Sequence, residues 1–277
     1  MSETRELNQG KNYILGNDPD ELWRLGYQHK VWSEEAFRLW KETGISLGSR
    51  VLDLGCGPGF ASFDLVGIVG PEGHVHGIDK SPSYVAYANH RTSNENWSNI
   101  SFEEDDFSTM KLDSNAFNYA YCRWALCWQT DPSEVVQKVA DSLKTGGKFA
   151  AQEYAYWGSF TVHPEKPEVR AVIEACREGW RIMDGHIDMG PRLVQIFEDA
   201  GLKVTHTRAL PKMGYSGDLV WNWPGTFLKI YSEKLIEMGL LSREQREAFL
   251  SVWDELERDP NAFVITPLMM EIVGVKQ

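Results

Sequence analysis

In the segment V-L-D-L-G-C-G-P-G, residues Val51 to Gly59, an acid and three glycines (Asp53, Gly55, Gly57, Gly59) are spaced to hold a small charged ligand. Glycine permits positive φ and lets a ligand approach bare backbone. A helix starting just beyond offers unpaired N–H groups. Val51, Leu52 and Leu54 read as a buried strand, and Phe60, Ala61, Phe63, Leu65 and Val66 open an apolar-periodic helix. Strand, glycine turn and helix make the first unit of a nucleotide-type α/β site.

The ligand is narrowed by what surrounds the turn. A dinucleotide fingerprint, G-x-G-x-x-G, needs glycine at position 60, which is Phe60 here. A carboxylate at Asp53 would not help clamp a pyrophosphate, but it suits an ammonium or a sulfonium. Asp79 ends the second strand, where a carboxylate can accept from both ribose hydroxyls. Asp106-Phe107 follows the third strand. The acid can accept from an adenine amino group and the ring can cover its face, with Asp105 as a rival for the acid. S-adenosylmethionine has the ammonium, the sulfonium and the adenosine that this set would hold.

The elements that must position these groups alternate. Asp18-Pro19-Asp20-Glu21 predicts a capped helix start, and Ser33-Glu34-Glu35 predicts a second, so two helices are expected before the glycine turn, ending at Gly44. His74–Asp79, Ile100–Glu103, Phe117–Cys122 and Lys148–Ala155 read as strands. Helices open at Ser81-Pro82 and Asp131-Pro132 between them. Such alternation predicts a parallel sheet with helices on both faces. Beyond it lie amphipathic helices over about 164–184 and 190–200, a strand at Leu202–Leu210, a tryptophan-rich helical stretch to about Pro260, and one long final strand, Ala262–Val275, with a bulge or edge position at Pro267.

Composition excludes several classes. A net charge of −12 argues against a nucleic-acid backbone as the main partner. The four cysteines form no C-x-x-C pair and the seven histidines show no H-x-x-x-H spacing, so no metal is expected. No window is long and apolar enough to span a membrane, and Met1-Ser-Glu-Thr-Arg-Glu lacks the apolar core of a signal peptide, which makes the cytoplasm the expected location.

The glycine segment, Asp79, Asp106-Phe107 and L-K-T-G-G-K before the fifth strand together resemble the class I S-adenosylmethionine-dependent methyltransferases, and among them the UbiE-like small-molecule group. The resemblance is good over roughly residues 11–155. It implies a Rossmann-like seven-stranded sheet with an antiparallel last strand, N-terminal helices and a mainly helical inserted lobe. It implies S-adenosylmethionine as cofactor and S-adenosylhomocysteine as product. Carried onto this chain, it implies cofactor contacts at Tyr13, Arg24, Gln28, Asp53, Gly55, Cys56, Gly57, Asp79, Lys80, Asp106, Phe107 and Arg123. The block Arg123-Trp124-Ala125-Leu126 borders the methyl-transfer centre and departs from the N-P-P-Y type tetrapeptide of enzymes that methylate amino groups on bases or protein glutamine.

The expected organisation is an N-terminal segment (1–45) covering the cofactor, a binding core (46–156), a substrate lobe (157–260, with a core strand near 202–210) and a final strand (261–277). Lobe tryptophans Trp157, Trp180, Trp221 and Trp223 would line a pocket for an aromatic or otherwise apolar metabolite, acting as a monomer or homodimer. His186, His163 and Glu153 are the candidate bases for an acceptor that must lose a proton. The competing readings are an NAD-dependent oxidoreductase, against which Phe60 and Asp53 stand, and a non-catalytic S-adenosylmethionine-binding partner protein.

Overall fold

The computed structural model describes residues 19–277. Helix α1 (Pro19–Thr43) precedes β1 (Arg50–Leu54), α2 (Phe60–Val69), β2 (His74–Asp79), α3 (Pro82–Asn94), β3 (Ile100–Glu104) and β4 (Phe117–Arg123). Next come a 3₁₀ turn (Leu126–Trp128), α4 (Pro132–Ser142) and β5 (Leu143–Tyr156). There follow β6 (Thr161–His163), α5 (Pro167–Ile182), α6 (Gly190–Asp199), whose Leu193 and Phe197 pack in the main-sheet core, β7 (Leu202–Leu210), β8 (Met213–Tyr215), α7 (Leu219–Glu237), α8 (Arg243–Leu256), β9 (Phe263–Ile265) and β10 (Leu268–Lys276).

The main sheet has seven strands in the order β3-β2-β1-β4-β5-β10-β7. β10 runs antiparallel between β5 and β7, and the first five strands are parallel. The strand order reverses direction at β1, so a crevice opens beyond the carboxyl ends of β1 and β4. Local caps set the helix starts. Ser81 accepts from Tyr84 N–H, Asp131 from Ser133 and Glu134 N–H, and Ser242 and Gln245 form a reciprocal capping box.

Two expectations fail. Among the described residues one helix, Pro19–Thr43, precedes β1, with no break at Ser33-Glu34-Glu35. Ser33 donates its hydroxyl back to Lys30 carbonyl inside the helix, as an i−3 bond, instead of capping a new one. Trp32, Ala36, Leu39 and Trp40 form one fully buried stripe at helical spacing, and each large side chain contributes about 1.5–3 kcal/mol that a break would forfeit. Glu21 faces Arg24 in a doubly bonded ion pair at 2.6 and 2.7 Å; its proposed capping partner Asp18 lies outside the described residues. The final strand is also divided. β9 joins a second, antiparallel sheet, β6-β9-β8, and the chain crosses to the main sheet at Thr266-Pro267. Proline has no N–H for either ladder, so the crossover falls there.

Helix α1 binds the two parts together. Val31 and Trp32 pack in the lobe core, whereas Ala36, Leu39 and Trp40 pack on the sheet. A charge cluster around one buried carboxylate fixes the helix to the main sheet. Glu271 on β10 is fully buried and accepts from Arg38 of α1, from His206 at 2.8 Å and from Arg208 at 3.0 Å. Burial alone would raise its carboxyl, but the bonds from Arg38, His206 and Arg208 hold it below the ordinary 4.5. A depressed carboxyl stabilises the fold above its unfolded value and loses that contribution as pH falls through the folded one. E271Q should therefore lose about 3 kcal/mol at pH 7 in urea unfolding, with the gap to wild type narrowing below about pH 4. A gap constant from pH 7 to pH 3 would refute this.

Candidate active site

A cavity of about 840 Å³ occupies the crevice at the switch point. One half is built from the strand ends. β1 delivers Asp53 and the glycine turn, β2 delivers Asp79, the β3 loop delivers Asp106 and Phe107, and β4 delivers Arg123. Helix α1 closes this half with Arg24, Gln28 and His29. Apart from Tyr13, which lies outside the described residues, every expected cofactor residue is on this one wall: Arg24, Gln28, Asp53, Gly55, Cys56, Gly57, Asp79, Lys80, Asp106, Phe107 and Arg123. Asp106 lines the cavity and its rival Asp105 does not.

The turn is held from within. Gly55, Gly57 and Gly59 all have positive φ (72°, 53° and 85°). Asp79 takes the N–H of Gly57 at 2.8 Å on one oxygen and that of Ser81 at 2.9 Å on the other. Burial raises its carboxyl, opposed by those two N–H groups. Asp53 is wholly buried and accepts from Ser62; burial pushes it up to about 6, against the Ser62 bond and the charge of Arg123. Phe60, where a dinucleotide site has glycine, packs on α1: a Cβ at Gly26 would meet Phe60 Cζ at 3.2 Å. The donor set therefore fits S-adenosylmethionine. Carboxylates line the turn, an aromatic ring (Phe107) covers one side, and a bulky ring sits where a pyrophosphate would need bare helix N-terminus.

Three positioning contacts were not legible in the chain. His29 bridges Arg123 and Asp64, with Nδ1 2.9 Å from Arg123 Nη2 and Nε2 2.8 Å from Asp64. Arginine only donates, so Nδ1 accepts and the Nε2–H donates to Asp64. Burial lowers the His29 pKa, which agrees with a neutral ring. Gln28 Oε1 accepts from Arg24 and from Trp223 Nε1, each at 3.0 Å, linking α1 to the lobe. The His29–Asp64, His29–Arg123 and Gln28–Trp223 partners lie 35, 94 and 195 residues apart, and no local pattern marks them.

The other half of the cavity is aromatic. Trp124, Trp128, Tyr154, Trp157, Trp180 and Trp223 line it, with Phe227 further along α7 and Met238 just past its end. Trp124 is the junction: its indole stacks on Trp223 (5.6 Å, 24°), tilts on Tyr154 (5.7 Å) and lies under the Arg123 guanidinium. Trp221 is not part of the wall; it packs on Trp253 in the lobe core, because α7 turns Trp223, two residues on, toward the cavity instead.

The candidate bases do not reach the cavity. Glu153 is buried behind the loop after β4, His163 stacks on Phe263 in the second sheet, and the backbone N–H of His186 donates to Cys127 carbonyl; none lines the wall. Among the described residues one acid–histidine cluster, Glu42, His206 and Glu271, has metal-like spacing, but Arg38 and Arg208 already neutralise it.

A family model described as a methyltransferase domain matches residues 45–201, more than half of the chain. Curated relatives include aklanonic acid methyltransferase of Streptomyces sp. (strain C5), 30% identical over 48% of this chain and 63% of that protein. Another is demethylmenaquinone methyltransferase of Lactococcus lactis, 29% identical over 53% of this chain and 54% of that protein. The chain thus spans little more than half the length of these relatives. Among solved structures, phosphoethanolamine N-methyltransferase 2 of Haemonchus contortus, bound to S-adenosylhomocysteine, aligns with all of this chain and 60% of its own at 16% identity and a TM-score of 0.60. Geranyl diphosphate C-methyltransferase of Streptomyces coelicolor, also with S-adenosylhomocysteine, covers 90% of this chain and 79% of its own at 14% identity and a TM-score of 0.58. At these identities the structures speak to fold alone. Among the described residues no helix is long and apolar enough to cross a membrane.

Proposed function

The chain belongs to the methyltransferase-domain family of S-adenosylmethionine-dependent, class I fold, and from that premise we propose that it transfers a methyl group to a small aromatic or otherwise apolar metabolite. The observation that carries the reading is the single cavity with two chemically distinct halves, one acidic and glycine-lined, the other walled by tryptophans. When bound, S-adenosylmethionine supplies a methyl group already activated on a sulfonium.

The residues then have mainly to bind, align and exclude water. Asp79 accepts from the ribose hydroxyls while bracing the turn through Gly57. Asp106 and Phe107 receive the adenine. Asp53 and the Trp124 carbonyl face the cationic amino-acid end, and Arg123, steadied by His29, meets its carboxylate. Trp124, Trp223 and Tyr154 hold a flat apolar acceptor against the methyl position and keep the site dry. Residues 46–156, covered by Arg24, Gln28 and His29 of α1, hold the cofactor, and the lobe, 157–260, supplies Trp157, Trp180, Trp223 and Phe227 of the acceptor wall.

Two measurements test this. Calorimetric titration should show S-adenosylmethionine binding and no NAD binding; the reverse would discard the reading. A mass-detected methyl-transfer screen over phenols, quinols, thiols and amines should find acceptors among the flat aromatic compounds. Acceptors confined to small hydrophilic amines would refute the aromatic assignment.

A further inference from the structure

Glu153 has no task in the chemistry above, yet it is a carboxylate in the middle of the protein, 1% exposed. Burial raises it to about 7, opposed by hydrogen bonds that include the Leu126 and Ala125 N–H groups. A leucine there would pack at far lower cost, so packing alone does not account for it. Its Oε1 accepts from Ala125 N–H at 3.0 Å and from Leu126 N–H at 2.9 Å. The preceding N–H, of Trp124, donates to Gln152 carbonyl at 3.2 Å. Three successive N–H groups are thus gathered by two neighbouring residues of β5. Successive N–H groups turned to one side form an anion-binding nest, occupied here by the protein's own carboxylate.

The segment so held is strained and central. Trp124 has φ +53°, a region that a bulky L residue seldom occupies. Ala125 presses on the glycine turn: a Cβ at Gly55 would lie 2.6 Å from its own Cβ. Because a trans peptide sets C=O opposite to N–H, pointing the Ala125 N–H at Glu153 turns the Trp124 carbonyl away from it. Trp124 and Ala125 both line the cavity.

We infer that Glu153 is a positioning residue: by holding the Ala125 and Leu126 N–H groups it aims the Trp124 carbonyl at the ammonium of bound S-adenosylmethionine and keeps the Trp124 indole against the acceptor. The inference rests on the S-adenosylmethionine reading of the glycine-lined half. It also replaces the base role considered for Glu153 with one exerted through the backbone.

The test compares two ligands by calorimetry on the full chain: S-adenosylhomocysteine, and 5′-methylthioadenosine, which keeps the adenosine and sulfur but has neither ammonium nor carboxylate. E153L is expected to bind S-adenosylhomocysteine about 10-fold more weakly than wild type while 5′-methylthioadenosine changes less than about 3-fold. E153Q, whose amide oxygen still accepts both N–H groups, should recover S-adenosylhomocysteine to within about 3-fold of wild type. If E153L loses both ligands alike, or keeps both, or if E153Q fails to recover, the inference is overturned. Should E153L not fold, E153D withdraws the carboxylate by one methylene and carries the same expected split and the same overturning outcomes. Wild-type protein that binds neither ligand would bring down the S-adenosylmethionine reading itself. Wild-type binding without a split in the variants removes only the role of Glu153.

Discussion

Asp79→Ala is expected to weaken S-adenosylmethionine binding about 100-fold, through the loss of charge-assisted hydrogen bonds worth about 3 kcal/mol together. The size follows from the double duty of this carboxylate. It stands at the end of β2, where ribose hydroxyls can donate to it, and it already receives the N–H groups of Gly57 and Ser81. Alanine removes the ribose acceptor and also releases the turn that carries Gly57. Asp105→Ala serves as the control, since Asp105 does not line the cavity and its oxygen receives Asp106 N–H and the Thr109 hydroxyl. Calorimetric affinities for the two variants check the claim. An Asp79→Ala protein that binds as tightly as wild type would remove the ribose assignment.

Gly55→Ala should be the most damaging single methyl in the turn. The backbone there has φ +72°, and the added Cβ would lie 2.6 Å from Ala125 Cβ and 3.6 Å from Phe107 Cζ. Neither Ala125, pinned by Glu153, nor the buried Phe107 has room to withdraw. We expect a loss of about 3 kcal/mol, a melting temperature lower by roughly 6–12 °C, and no measurable S-adenosylmethionine binding. Gly57→Ala separates backbone strain from collision. Its φ is +53°, but a Cβ there would meet nothing within 4 Å, so the cost should stay near 1–2 kcal/mol. Equal melting temperatures for the two variants would show that the contact with Ala125 is not what makes Gly55 necessary.

The parts of the site that were legible in the chain are those where function is imposed on a short stretch of backbone. The glycine turn needs positive φ at three named positions, and Ser81, Asp131 and Ser242 cap helices through bonds to residues two or three away. Asp79 and Asp106 follow because a strand end must deliver them. What escaped detection is non-local. Nothing in the sequence around His29 reveals that it will meet Arg123, and nothing around Gln152-Glu153 reveals that they will catch the N–H groups of residues 124–126. The Ser33-Glu34-Glu35 signal for a second helix was real as a local preference, but the buried stripe from Trp32 to Trp40 outweighed it. The Pro267 signal was also real, and only the neighbouring β6 and β8 show that it marks a change of sheet.

By itself, then, the sequence determined the cofactor half: a strand, a turn of three glycines and a set of strand-end acids whose chemistry is written within short windows. The tertiary structure alone decided the acceptor half. Which tryptophans face the cavity depends on how α5 and α7 are rotated against β4 and β5, and a helix rotation is set by packing across the whole lobe. Trp223 lines the site and Trp221 fills the core for that reason, although the two lie two residues apart in one helix.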